Sequence, residues 1–98
     1  MPRLVHIASV QPPAVGDSVD YQLLQDAAVS LVEQAGDLGA DIVCLPEYAN
    51  CMGDESLWQQ PGEAEQNPLF NRIAGLASSH SMYVILPLLE GREGRRYN

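Results

Sequence analysis

Four apolar residues in succession, Ile42, Val43, Cys44 and Leu45, stand between Gly39 and Pro46 with only Ala40 and Asp41 before them. A run this short, free of polar breaks and bounded by a glycine and a proline, predicts a strand buried on both faces of a sheet. Proline has no N–H to give to a sheet ladder, so Pro46 ends the strand and hands the chain to the rim of the sheet. The residue that follows is Glu47. In α/β proteins the carboxyl ends of buried strands are where chemistry collects, and apolar surroundings there disfavour the charged form of an acid and raise its basicity. Position alone suits two roles for Glu47: a general base, or a solvated acid that caps the turn after it.

The segments around this strand predict its neighbours. Leu4 to Gln11 is rich in valine and isoleucine and runs into Pro12 and Pro13, as a first buried strand would. His6 lies within it, with no cysteine or second histidine at ligand spacing, so it reads as a hydrogen-bonded packing residue. The stretch from Ala14 to Val19 contains only Gly16, which removes the glycine fingerprint of a dinucleotide-binding turn. A helix capped by Asp17 or Asp20 is expected to run to about Leu38, with Leu24, Ala28, Leu31, Ala35 and Leu38 as the stripe that packs on the sheet. Gly36 and Gly39 end it, and the resulting strand-helix-strand crossover should be parallel and right-handed.

Past Glu47, residues Tyr48 to Gln66 show no strong period and are expected as a loop, in which Trp58 serves as an anchor. Asn67 followed by Pro68 is a helix start: the amide oxygen caps orphan N–H groups and proline is pre-set for the first helical position. That helix should reach about His80, with Leu69, Phe70, Ile73, Ala74, Leu76 and Ala77 on its apolar face and His80 near the negative end of the helix dipole. Met82 to Leu89 predicts a third buried strand, Gly91 to Arg96 a polar turn, and Tyr97-Asn98 the beginning of a fourth strand. The fold class is α/β, in the order strand, helix, strand, helix, strand.

Charge narrows the partners. Five basic against 13 acidic residues give a formal net charge of -8, which opposes binding to nucleic acid or to an anionic membrane. No apolar run approaches the roughly 20 residues of a membrane span, and the first residues lack a signal peptide's long apolar region, so a cytoplasmic location is expected. Cys44 and Cys51 match no metal or redox spacing and are expected as reduced thiols. Cys51 invites a second reading as a nucleophile beside Glu47, although free cysteine more often serves packing. No metal or cofactor is called for.

The order of these pieces resembles the N-terminal part of a nitrilase-superfamily carbon-nitrogen hydrolase. The resemblance rests on a first strand ending in a glutamine, Val5 to Gln11, then a long helix, then Gly39 to Glu47 read as GAD, four apolar residues and PE, and lastly Glu90, Gly91, Gly94, Tyr97 and Asn98. It implies that residues 1–98 are a single partial domain, the first portion of an αββα sandwich, truncated before the lysine and cysteine of the family's catalytic set. By the resemblance both lie farther along family members than this sequence reaches, and the composition agrees for the lysine, since all five basic residues are arginines. The implied reaction is cleavage of a carbon-nitrogen bond in a small amide, with a nitrile as second choice, through a cysteine thioester. The glutamate of the PE pair matches Glu47 and would take the thiol proton.

By the same resemblance Tyr48, Asn50 and Met52 would border the substrate pocket, and Glu90 would orient the catalytic groups. Ordinary packing explains the aromatic and the methionine equally well. A full-length protein is expected to be a homo-oligomer, and these 98 residues alone are expected to be inactive. The rival expectation belongs to another class: a catalytically empty α/β module that only binds, either a small ligand at the strand ends or the remainder of a split enzyme.

Overall fold

The computed structural model describes residues 4–11, 21–46, 67–93 and 95–97. Three parallel strands, β1 (Ile7–Ser9), β2 (Ile42–Cys44) and β3 (Tyr83–Ile85), form one sheet in the order β1-β2-β3. Helix α1 (Tyr21–Asp37) connects the first two, and helix α2 (Pro68–Ser79) precedes the third. A separate antiparallel hairpin joins β4 (Glu90–Arg92) to β5 (Arg95–Tyr97). The chain is therefore α/β, with parallel strands around a central β2.

Register divides the parallel sheet into two unlike faces. Ala8, Val43 and Val84 lie side by side across the three strands, flanked by the rows Ile7, Ile42, Tyr83 and Ser9, Cys44, Ile85. Because successive side chains alternate between faces, the middle row points one way and the two outer rows the other. Val43 is fully buried, and with Val10 and Leu45 it joins a core to which α1 gives Ala28, Val32 and Ala35 and α2 gives Leu69 and Ile73. Both helices thus cover the same face. On the opposite face Ile7 is 68% exposed, Tyr83 79% and Ile85 53%, while Ile42 and Cys44 are half-buried. The expectation of strands buried on both faces is corrected accordingly: β2 is shielded on one side only, and the edge strands less.

Magnitudes say what holds the helices there. Arg72 of α2 donates to the Asp26 carboxylate of α1 at 2.8 Å, but both side chains are 40% or more exposed, where such pairs are worth well under about 1 kcal/mol. Burying Val32, Leu69 and Val43 completely is worth roughly 1.5–3 kcal/mol each, so the apolar core sets the arrangement. The stripe on α1 is shifted from the expected one: Leu24, Gln25, Ala28, Val32 and Ala35 are buried, Leu31 is half-buried and Leu38 lies out in solvent. On α2 the expected face is present except for Ala74, which is exposed.

The helix ends follow local chemistry. Asn67 caps α2, its side-chain oxygen accepting from the Leu69 amide at 2.8 Å, with Pro68 in the first turn. Both helices finish in the same paired-bond motif. In α1 the amides of Ala40 and Gly39 donate to the carbonyls of Ala35 and Gly36, and in α2 those of Met82 and Ser81 donate to Ala77 and Ser78. The motif needs a left-handed residue just past the end, supplied by Gly39 at φ 88° and by Ser81 at φ 51°. Glycine holds that conformation without steric cost, whereas an L-residue with a Cβ is strained there by about 1–2 kcal/mol. Ser81→Gly should therefore stabilise the protein by about 0.5–1 kcal/mol after the extra unfolded-state entropy of glycine is subtracted. Thermal unfolding checks this, and a lowered midpoint would contradict it.

Gly36 has a different task. A Cβ there would fall 2.6 Å from Cγ of His80, the residue that caps α2, whose ring also stands 3.8 Å from the Asp37 carboxylate. The absent side chain lets the end of α2 rest against α1. Gly36→Ala should destabilise by about 1–3 kcal/mol despite alanine's better helix propensity, since the ring must be displaced. In the His80→Ala background the same change should turn neutral or favourable. An equal cost in both backgrounds would show that the ring is not the obstacle.

Three strand boundaries differ from the sequence-based expectation. β1 is confined to Ile7–Ser9 and β3 to Tyr83–Ile85, so the chain leaves the parallel sheet well before Leu89. The continuous apolar run from Met82 concealed that exit, which comes two residues before Pro87, a residue unable to donate to a ladder. The stretch from Gly91 to Arg96, expected as a turn, is mostly hairpin: Glu90 pairs with Tyr97 and Arg92 with Arg95, leaving a two-residue loop. Glu93 opens that loop at φ 53°, the left-handed backbone that the favoured two-residue turn requires. No helix among the described residues is long and apolar enough to cross a membrane.

Candidate active site

Parallel pairing sends the carboxyl ends of β1, β2 and β3 to a common rim. Two bonds carry the ladder just past the strands: the Val10 amide donates to the Cys44 carbonyl at 2.8 Å, and the Leu45 amide donates to the Ile85 carbonyl at 3.0 Å. Leu45 is buried, so its side chain pins the last turn of backbone before the rim. Pro46, half-buried, comes next and is the last described residue before Glu47. Glu47, Tyr48, Asn50 and Met52, the expected base and pocket walls, lie outside the described residues, as do Cys51 and Trp58.

The amino ends of the strands are tied by one residue, Asp41. Its backbone amide donates to the His6 carbonyl at 2.8 Å, its carbonyl accepts from the Tyr83 amide at 2.9 Å, and its carboxylate accepts from the His6 amide at 2.9 Å. A single residue thus reaches both neighbours of β2 at the end remote from the rim. The His6 ring, largely exposed, stands 3.6 Å from the same carboxylate. The expected packing role is corrected: His6 stands just before β1 with its ring in solvent, and its backbone amide, not the ring, makes the hydrogen bond to Asp41. Asp41 received no role from the sequence beyond opening the strand. The signal was its position directly after the left-handed Gly39 and one other residue, where a short acid can turn back onto backbone amides.

Glu90 belongs to a different sheet from the parallel strands. It is half-buried, begins β4 and pairs with Tyr97 in the hairpin, after the buried Leu89.

Cys44 is a free thiol, half-buried in the row with Ser9 and Ile85 on the open face of the sheet. Among the described residues no group of three or more histidine, cysteine, aspartate or glutamate side chains could hold a metal ion. A groove of about 520 Å³ runs along the free edge of β1, between the backbone of Ile7 to Gln11 and the α1 residues Leu31, Gln34 and Leu38. Its lining includes the His6 imidazole but no carboxylate, lysine or arginine side chain.

The family model for carbon-nitrogen hydrolases matches residues 6–98, from the first strand through the hairpin.

Proposed function

The chain belongs to the carbon-nitrogen hydrolase family, and from that premise we propose that Glu47 is the general base for hydrolysis of a small amide through a cysteine thioester, a nitrile being the second choice of substrate. The observation that carries this reading is the course of β2, a parallel strand that leads through Leu45 to Pro46 at the carboxyl side of the sheet, Pro46 being the residue before Glu47 in the sequence.

The chemistry follows from the roles the family resemblance assigns. Glu47 accepts the proton of the family's cysteine, and the thiolate attacks the amide carbonyl. The family's lysine stabilises the negative charge that develops on the carbonyl oxygen. As the tetrahedral species collapses, the carbon-nitrogen bond breaks and the protonated base returns its proton to the departing amine, leaving a thioester. A water molecule, deprotonated in turn by Glu47, then releases the acid and restores the thiol. No lysine occurs among these 98 residues, and the resemblance puts the nucleophilic cysteine beyond them as well. Tyr48, Asn50 and Met52 would form walls of the pocket, and Glu90 would hold neighbouring groups in orientation.

A trapping experiment on a full-length hydrolase containing this sequence tests the reaction class. With small amides as substrate, added hydroxylamine should divert the acyl group to a hydroxamate, because a thioester partitions between water and any better nucleophile. Complete alkylation of the protein's thiols should abolish both products. Undiminished amide turnover after alkylation would overturn the covalent mechanism.

A further inference from the structure

We draw no further inference here: the strongest candidate, the open face of the parallel sheet formed by Ile7, Tyr83 and Ile85 together with the groove along the free edge of β1, carries nothing because nothing in the structure shows what covers it.

Discussion

Glu47→Gln in a full-length hydrolase containing this sequence should lower amide turnover by about two orders of magnitude or more, the usual contribution of a positioned general base. Glutamine keeps the size of the side chain and its capacity for hydrogen bonding, but it cannot accept a thiol proton. Folding should hardly change, so the thermal midpoint of the variant should stay near that of the parent while kcat falls. Two comparisons make the result specific. Glu90→Gln should cost less, because an acid that only orients its neighbours is partly replaced by an amide of equal size, and because Glu90 stands in the hairpin rather than after β2. Cys51→Ser should leave turnover and thioester formation in place. If Cys51→Ser abolished the covalent intermediate while Glu47→Gln left turnover intact, the assignment of roles would be wrong.

A polypeptide of these 98 residues alone should associate in solution or stay loosely packed, and it should show no amide turnover. The reason is the open face. Ile7, Tyr83 and Ile85 are each more than half exposed, and beside them lie half-buried Ile42 and Cys44, so the apolar side chains form a continuous patch rather than scattered points. Soluble monomers rarely leave such patches uncovered. The edges add to the effect: β1 and β3 are both outer strands of the three-stranded sheet, and residues 4–11 contain no charged side chain to discourage pairing with another strand. A net charge of -8 opposes association at low ionic strength, so the tendency should grow as salt is added. Sedimentation across a concentration series, with a dye that reports exposed apolar surface, checks this. Ile85→Lys should reduce the association while helix content is retained. A monodisperse monomer with a sharp, concentration-independent thermal transition would refute the prediction.

Much of the backbone was legible because its causes are local. The start of α2 is encoded in two adjacent residues, Asn67 and Pro68, and the cap bond from Leu69 forms as the sequence implies. The end of α1 is encoded in Gly39, and the strand after it in four apolar residues with a proline behind them. Alternation of strand and helix was enough to expect the parallel sheet that is observed. The signals failed where a local pattern has more than one outcome. An apolar run such as Met82 to Leu89 does not state where pairing stops, since that depends on which residues find a partner strand. The stripe on α1 moved from Leu31 to Val32 because the helix rotates to suit what it packs against, and a rotation of about 100° per residue changes which neighbour faces inward.

For the candidate site, the sequence by itself determined that an acid follows a proline at the carboxyl end of a short apolar strand. The resemblance supplied the acid's expected partners and chemistry. Tertiary structure decided the rest. It put Glu90 in an antiparallel hairpin, made Asp41 the tie between β1, β2 and β3 at their amino ends, and chose the Val43 face of the sheet as the one that both helices cover. No residue pattern could state that last choice, because β2 is apolar at every position and its own composition makes either face fit to be buried. On the face taken, Val43 packs in one buried cluster with Val32 of α1 and Leu69 of α2, and the other face leaves Ile7, Tyr83 and Ile85 uncovered.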